Sequence, residues 1–350
     1  EPQERVVGEQ QIDVDNPLTY TRLLSAPAIV AELRRVVTNP DETQRARNQA
    51  ARQLARLAEA GVPGAHPDQW WGIAGPSTTR SLPVSSLSPS RIEAGMVCPL
   101  RATMSRIFTE EELAFPLLRG RLLHAFAEAV ALNVDSDVAR LKIIDAYQEI
   151  LAAPIWLRSH RLDTWRTVLD RTKMWIETHR HIFEQVGVEV EAEVTIAEGM
   201  KLRGRIDRLE KTMDGDYHIV DFKSGTNSPS EKTIADHIQL LTYQLILHHG
   251  AFDGTKIRTA RSTESGMTVD GATLVYPEKD TKKIWSITQA AKTEEQLAEF
   301  ENQLPDLLQA LRGPELQAQR NPRCATCKLK PICPVFDTGK WTTEPTTNVS

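Results

Sequence analysis

Three charged residues stand in a strand-like stretch near the middle of the chain and could act together chemically. Asp207 lies in the segment GRIDRLE, and Asp221 and Lys223 follow in VDFKSG. An unpaired ion is costly in a low-dielectric interior, so these side chains must face solvent, each other or a bound ion. The alternative to a site is a surface ladder in which Arg205 or Arg208 pairs with the two acids.

The turn sequence MDGD predicts a hairpin over residues 202–223. If the pairing centres on Asp214, Asp207 lies opposite Asp221, and Lys223 shares a face with Asp221 because strand side chains alternate. Two adjacent carboxylates repel each other unless a cation lies between them, and Mg²⁺ takes such oxygen ligands. The ion would lower the pKa of a bound water and shield charge on a phosphate, while Lys223 orients the water.

Four other residues extend this candidate site. His124, in the helix-forming stretch RGRLLHAFAE, could ligate the same ion, or it could be a packed or solvated helix residue. Glu193, in the strand before the hairpin, could add a carboxylate or simply face solvent. Gln239 and Tyr243 are four residues apart and therefore share one helix face, with a buried core pair as the alternative.

Helices and strands must position these residues. Helical patterns are predicted over residues 42–60, 111–130, 138–151, 162–186, 233–250 and 293–312. A further helix is expected from Pro89 through RIEAGMVCPLRATMSRIF, with Ser90 and Glu93 as a capping box. Short β-branched segments from Val188 to residue 223, then ATLVYPE and KIWSITQ, predict strands. The tryptophans are expected to anchor the core, namely Trp156, Trp165 and Trp175. The order of elements favours a mixed α/β core.

Composition and charge bound the class of protein. The chain of 350 residues is 40% hydrophobic and 25% charged, as in ordinary globular proteins, and suffices for one large domain or two. It contains no apolar run of 18 residues, which argues against a membrane span. The formal net charge of −5 argues against wholesale wrapping of nucleic acid, but residues 201–211 and 320–330 form local basic patches. The start is acidic and lacks an initiating Met, which suggests a piece of something longer.

The four cysteines are too few for a disulfide scaffold and favour an intracellular protein. Cys324, Cys327 and Cys333 form one cluster, and Cys98 lies far upstream. Four thiolates can hold a zinc ion or an iron–sulfur cluster, and paired thiols are a third possibility.

GRIDRLE, VDFKSG and QLLTY, preceded by GRLLH, together resemble the RecB-type branch of the PD-(D/E)xK nucleases over roughly residues 85–336. The resemblance implies an α/β fold with a restriction-endonuclease-like core, a mixed sheet flanked by helices and a helical insertion. It implies metal ligation by His124, Asp207, Asp221 and the carbonyl of Phe222. The catalytic set it implies is Asp207, Asp221, Lys223, Gln239 and Tyr243, with Gln239 and Tyr243 supporting the site and contacting DNA. Val220 stands where the family has Pro.

The wide split between Cys98 and the other three cysteines is similar to the arrangement in AddB-type nucleases and CRISPR adaptation nucleases. This similarity implies a four-iron four-sulfur cluster that closes the nuclease domain, with zinc as the alternative. The expected cluster ligands are Cys98, Cys324, Cys327 and Cys333.

The segment from ARQLARLAEAG to SPSRIEAGMVCPLR resembles the lead-in to the C-terminal nuclease domain of actinobacterial AdnA/AdnB helicase–nucleases. The implied division is a helical lead-in and linker over residues 1–84, a nuclease domain over 85–338 and a flexible tail over 339–350. The chain has no GxxxxGK[ST] loop, so a helicase motor would lie in a preceding domain or another subunit.

These resemblances imply a deoxyribonuclease using Mg²⁺ or Mn²⁺, an exonuclease acting on single strands during double-strand-break processing and recombinational repair. The expected partners are single-stranded DNA ends and a helicase domain or subunit, with no membrane, in the cytoplasm. The candidate phosphate contacts are Arg203, Arg205, Arg208 and Lys328. The alternatives are a catalytically silent iron–sulfur DNA-binding or structural module and a zinc-stabilised RNA-processing nuclease.

Overall fold

The computed structural model describes residues 5–7, 10–12, 25–70, 80–108, 115–196, 199–263, 265–279 and 284–336. The chain divides into two compact units, a larger one over residues 80–323 and a smaller one that takes the described residues before 71 and after 323. The predicted functional division at residues 84/85 and 338/339 stays a prediction. The predicted flexible tail, residues 339–350, lies outside the described residues.

The smaller unit contains two short strands and two α-helices among its described residues. These are β1 (Arg5–Val7), β2 (Gln10–Ile12), α1 (Ala26–Thr38) and α2 (Gln44–Glu59). The side chain of Thr43 caps α2 by accepting a hydrogen bond from the backbone N–H of Ala46. The helices pack around Val30, Leu54 and Trp70. The helix predicted over residues 42–60 is confirmed.

The larger unit is built on a mixed sheet. Its described strands are β3 (Ser86–Leu87), β4 (Glu184–Thr195), β5 (Lys201–Lys211), β6 (Tyr217–Phe222), β7 (Gly250–Phe252), β8 (Lys256–Thr259), β9 (Val269–Tyr276) and β10 (Trp285–Ala290). Seven of them follow the order β10-β9-β6-β5-β4-β8-β7, and β3 pairs with the start of β5. The central β4, β5 and β6 are antiparallel, whereas β6 with β9 and β4 with β8 are parallel pairs.

Helices cover both faces of this sheet. They are α3 (Pro89–Val97), α4 (Pro99–Phe108), α5 (Phe115–Ala131), α6 (Ser136–Ile150), α7 (Ile155–His179), α8 (Glu231–Ile234), α9 (Ile238–His249) and α10 (Glu294–Arg312). On one face, α5, α6 and α7 pack against Val220, Phe222 and Val275 of the sheet. On the other, α3, α9 and α10 pack against the apolar side chains of β4 and β5. The predicted mixed sheet flanked by helices is confirmed.

The helix predicted from Pro89 to Phe108 is wrong in its continuity. It breaks at Cys98, whose extended backbone (φ −168°, ψ 105°) separates α3 from α4. The cause is Pro99, because a proline disfavours the helical conformation in the residue before it. The predicted cap is wrong as well, since the hydroxyl of Ser88, rather than that of Ser90, accepts the backbone N–H of Arg91.

Two of the three tryptophans predicted to anchor the core do so. Trp165 and Trp175 are 2% and 6% exposed, whereas Trp156 is 79% exposed. Nine residues at about 100° each turn Trp156 about 180° away from Trp165 on the same helix, so it points away from the core. Within the described ranges, every helix is too short or too polar to cross a bilayer.

We expect Trp165→Ala to lower the free energy of unfolding by about 3–5 kcal/mol, because it removes a buried ring that stacks on Tyr147 at a centroid distance of 4.8 Å. Trp156→Ala, the same change on the exposed side of α7, is the matched control and should shift it by less than about 0.5 kcal/mol. Urea unfolding followed by circular dichroism measures both. Equal losses for the two variants would contradict this assignment of the core.

Candidate metal-binding and catalytic site

The hairpin of β5 and β6 has the predicted register. Arg208 pairs with Val220 and Lys211 with Tyr217, and this register, extended by one residue, sets Asp207 opposite Asp221. The turn is closed by a hydrogen bond from the N–H of Thr212 to the carbonyl of Asp216, 2.9 Å long. The pairing centred on Asp214 is therefore confirmed.

The other neighbour of β5 brings a third acid to Asp207. Glu193 pairs with Arg203 and Glu191 with Arg205, and the flanking pairs place Glu189 opposite Asp207. Side chains two residues apart share a face, so the three pairs form successive rows. Two rows match a carboxylate with a guanidinium, whereas the third sets a carboxylate against a carboxylate. The ladder of ion pairs thus changes into an acidic site at this row.

His124 of α5 completes the acidic row. Its Nδ1 lies 3.2 Å from Oδ2 of Asp207. One ligand atom each from His124, Glu189 and Asp207 lie within 4.8 Å of one another, and no other set of three or more possible metal-ligating side chains in the described ranges does so. We call these three residues the carboxylate–histidine cluster. Glu189 adopts a left-handed backbone conformation with φ 49°, which is uncommon for a residue other than glycine.

A second group of polar side chains surrounds Asp221. Nζ of Lys223 lies 2.7 Å from Oδ2 of Asp221, and Nε2 of Gln239 donates to Oδ1 at 2.6 Å. Lys223 also donates to Oε1 of Gln239 at 2.5 Å. Tyr243 donates its hydroxyl proton to the carbonyl of Arg205 at 2.8 Å and accepts from Gln239 at 3.2 Å. The helix α9 therefore holds both the acid and the lysine in place.

The electrostatics of the site favour the addition of positive charge. Burial, then the charge of Asp207, raises the pKa of Asp221 to about 6 despite Lys223. Burial and Asp207 also raise the pKa of Glu189. Burial alone would lower the pKa of His124, but the hydrogen bond to Asp207 and the surrounding carboxylate charges raise it overall. Burial is the larger cause of the raised pKa of both carboxyl groups, and the charge of Asp207 adds to it.

The residues present fit a divalent cation. The carboxylate–histidine cluster supplies two carboxylates and one imidazole within reach of a single ion, and its charge is unbalanced. The structure brings the predicted ligands His124 and Asp207 together but ties both oxygens of Asp221 to Lys223 and Gln239. Ligation by Asp221 and by the carbonyl of Phe222 stays a prediction. The N–H of Phe222 donates to Oδ2 of Asp207 at 2.7 Å.

Of the two roles left open for Glu193, the structure shows the solvent-facing one. Glu193 bonds to Lys201 at 2.7 Å and to Arg203 at 2.6 Å, two rows away from Asp207. Glu189 lies in the acidic row in its place. The register of β4 with β5 is what identifies Glu189, because Glu189 is the residue of β4 that lies opposite Asp207.

Gln289 of β10 is a site residue that the sequence did not predict, and it holds the segment of chain that leads into α9. Its buried Nε2 donates to the carbonyls of Ile234 and Ala235, both at 2.9 Å. Its Oε1 accepts a hydrogen bond from Gln244 at 2.9 Å. These bonds fix the chain just before α9 and therefore the position of Gln239. Its strand showed only an alternating pattern, which carries no sign of this role.

The predicted phosphate contacts have different environments. Arg203 and Arg205 are exposed but paired with glutamates, and Lys328 is exposed in the smaller unit. The prediction for Arg208 is wrong, because its side chain is 1% exposed. It forms an ion pair with the buried Glu210 at 2.5 Å and a hydrogen bond with Gln185, which leaves it no access to a substrate.

The four cysteines are divided between the two units, with Cys98 in the larger one and the other three in the smaller one. In the larger unit, Cys98 is buried at the break between α3 and α4. In the smaller unit, the N–H of Cys327 donates to the carbonyl of Cys324 at 3.3 Å, and Cys333 is buried. The four cysteines form no disulfide. The shared role predicted for them stays a prediction.

The acid–lysine pair at the end of β6 and the neighbouring carboxylate–histidine cluster together offer ligands for a divalent ion next to a positively charged side chain. A family model described as the PD-(D/E)XK nuclease superfamily matches residues 86–334, which is more than half of the chain. The chain belongs to the PD-(D/E)XK nuclease superfamily. Membership supports a metal-dependent nuclease with DNA as substrate and a restriction-endonuclease-like fold.

A search of curated proteins finds no match. Among solved structures, the chain is similar to the crystal structure of SSO0001 at 15% identity, with 73% of this chain and 89% of that chain covered and a TM-score of 0.34.

We expect Asp221→Asn to stabilise the metal-free protein at pH 8 by roughly 3 kcal/mol. The folded pKa of about 6 lies above the value of 3.8 for an unperturbed Asp, so the ionised form disfavours folding. This penalty is absent below pH 4 and complete above pH 6, so the gain should shrink markedly at pH 5. Urea midpoints in EDTA at both pH values measure it.

The control is Asp214→Asn in the exposed turn, which should shift the midpoint little at either pH. If Asp221→Asn were destabilising at pH 8, burial would not be the main influence on this carboxyl.

Proposed function

We propose that this protein is a metal-dependent deoxyribonuclease whose active centre is the carboxylate–histidine cluster with Asp221 and Lys223. The observation that carries the proposal is the acidic row at Glu189 and Asp207, next to a lysine 2.7 Å from a buried aspartate. A solvent-facing ladder would have no need of uncompensated carboxylates in a partly buried position, since they destabilise the fold.

Each residue has a separate part in the proposed hydrolysis. His124, Glu189 and Asp207 would hold a divalent ion, with Asp221 and the carbonyl of Phe222 as further ligands. Held by these residues, Mg²⁺ or Mn²⁺ would lower the pKa of a bound water and offset charge on the phosphate. Lys223 donates hydrogen bonds that orient the attacking water and stabilise charge developing on the phosphoryl oxygens.

Gln239 and Tyr243 act as supports of the same centre. Gln239 bonds to both Lys223 and Asp221, so it fixes the lysine at one distance from the acid. Tyr243 anchors Gln239 to the backbone of β5 through Arg205. A lysine on a flexible stem gains precision from such a bond.

The finer proposal is an exonuclease that acts on single strands in double-strand-break processing and recombinational repair. It rests on the RecB-type motifs and on the N-terminal resemblance to AdnA/AdnB helicase–nucleases, with a helicase domain or subunit as partner. A DNA substrate and reduced cysteines favour the cytoplasm. The alternative, a silent DNA-binding module, is disfavoured because every position of the Asp–Asp–Lys set is filled and the three residues stand together.

We expect Mg²⁺- or Mn²⁺-dependent degradation of end-labelled single-stranded DNA that EDTA abolishes. Glu189→Gln should lower the rate at least about 100-fold, because it removes one charged ligand. Glu184→Gln, an exposed change on the same strand, should keep the wild-type rate. Asp221→Asn and Lys223→Gln should be as inactive as Glu189→Gln.

Cleavage that survives Asp221→Asn would place the chemistry elsewhere, and a folded wild type without cleavage would favour the silent module. Resistance of a circular strand would identify an exonuclease, and 5′ against 3′ labels would give its polarity. Preferential cleavage of RNA of the same sequence would overturn the DNA proposal.

We further propose that Cys98, Cys324, Cys327 and Cys333 hold a four-iron four-sulfur cluster, with zinc as the alternative. Within the larger unit, the chain that leads to Cys324 runs beside Cys98. The carbonyl of Gln317 accepts the N–H of Leu100 at 2.9 Å, and Asn321 bonds to the carbonyl of Val97 at 3.5 Å. Inside the larger unit, these contacts hold residues 317–321 next to the segment that contains Cys98, which supports the proposal.

Purified protein should contain about four iron and four acid-labile sulfide per chain. Cys324→Ala should lose the iron and lower the Tm, because binding of a structural metal centre contributes directly to folding. Thr326→Ala, an exposed change in the same segment, should keep both. Zinc in place of iron would overturn the cluster, and unchanged Tm and iron in Cys324→Ala would overturn the role of the cysteines.

A further inference from the structure

An open groove lies on the sheet of the larger unit next to the carboxylate–histidine cluster. Its volume is about 520 Å³, and its charged lining comes from three neighbouring strands. These side chains are Glu191, Glu193, Arg203, Arg205, Lys256 and Arg258. Ala192 and Ile257, which alternate with these residues along the strands, are buried in the hydrophobic core on the side of the sheet that α9 covers. The six charged side chains therefore lie on the opposite side of the sheet.

The strand register arranges these six side chains in two rows of three. Glu191 stands opposite Arg205 on β5 and opposite Lys256 on β8. Glu193 stands in the same way between Arg203 and Arg258. Each row therefore carries two positive charges and one negative charge, and the groove has a formal net charge of +2. This contrasts with the chain as a whole, whose net charge is −5.

The two rows lead directly into the acidic row. Along β5 the order is Arg203, Arg205 and then Asp207, with about 7 Å between successive side chains on one face. Nη1 of Arg205 also lies 3.7 Å from Oε2 of Glu189, so the groove and the cluster share a border. The repeat is close to the spacing of successive phosphates along an extended single strand.

We propose that this groove binds the phosphodiester backbone of single-stranded DNA and leads it, one phosphate per row, to the carboxylate–histidine cluster. The inference rests on the proposed nuclease function and adds Lys256 and Arg258 to the binding surface. Phosphates replace Glu191 and Glu193 as partners of the basic residues when the strand binds. In the free protein the guanidinium groups pair with these glutamates, with Arg203 at 2.6 Å from Glu193 and Arg205 at 3.0 Å from Glu191.

The exchange of partners distinguishes this groove from an ordinary solvated ladder. In a strand-binding groove, a glutamate competes with the phosphate, so its neutralisation tightens binding. In a ladder without a ligand, neutralising a glutamate and neutralising an arginine both leave DNA binding unchanged. The two kinds of variant should therefore shift the affinity in opposite directions.

The test is fluorescence anisotropy of a labelled single-stranded DNA in EDTA, where no cleavage occurs, at several salt concentrations. The double variant Lys256→Gln/Arg258→Gln should bind roughly tenfold more weakly at 0.1 M salt and lower the salt slope by about 1.4, since each single-strand phosphate contact contributes about 0.7. Arg203→Gln should weaken binding and Glu193→Gln should tighten it. The matched control is Arg166→Gln/Lys173→Gln on α7, which should bind as the wild type does.

The inference would be overturned if the Lys256→Gln/Arg258→Gln variant bound DNA with the affinity and salt slope of the wild type. It would also be overturned if the α7 control variant lost as much affinity as the groove variant. A separate assay of Mn²⁺-dependent DNA cleavage by the wild type tests the proposed nuclease function independently of the groove. If cleavage fails while the groove variants still lose affinity, the nuclease proposal fails and the groove stands. Tighter binding of RNA than of DNA through the same residues would overturn DNA as the ligand.

Discussion

Repulsion between carboxylates in the middle of the sheet is the constraint on which the larger unit depends. Glu189, Asp207 and Asp221 come from three adjacent antiparallel strands, and the paired residues next to them hold those strands side by side. A low-dielectric position makes this arrangement unfavourable in free energy, as the raised pKa of Asp221 records. The surrounding framework must therefore be stable enough to hold the acids together, and its two cores on the faces of the sheet provide that stability.

Each face of the sheet contributes one means of holding the site. On one face, α5 brings His124 to Asp207. On the other, α9 lies close to β5 because residue 204 is glycine, and a Cβ there would lie 2.9 Å from Tyr243. This close approach lets Tyr243 reach the backbone of β5 and support Gln239. The site is thus positioned by packing as well as by polar contacts.

The sequence allows prediction of what depends on local spacing. The turn between Asp207 and Asp221 defined their pairing, and the alternating pattern placed Lys223 beside Asp221. Glu189 could not be found in this way, because its place depends on the register of a second hairpin that contains a bulge after Gln185 and on an unusual backbone conformation.

Sequence patterns also did not show which charged side chains are buried by contacts between distant parts of the chain. Arg208 has the composition of a phosphate contact, yet it packs inside against Glu210, a partner that reads as just another surface acid. The overall fold was more accessible, because helices and strands of ordinary length showed their periods clearly. The break at Cys98 and the outward direction of Trp156 depend on one proline and on helix phase, which a broad pattern averages out.

The distance along the chain between the members of the site has a consequence for synthesis in the cell. His124 and Asp207 are separated by more than eighty residues, and the helices α6 and α7 and the strand β4 lie between them. Contacts of such high sequence separation form late and slowly, since the intervening loop must close first. A growing chain on the ribosome therefore has no complete active centre until the central hairpin has emerged and docked.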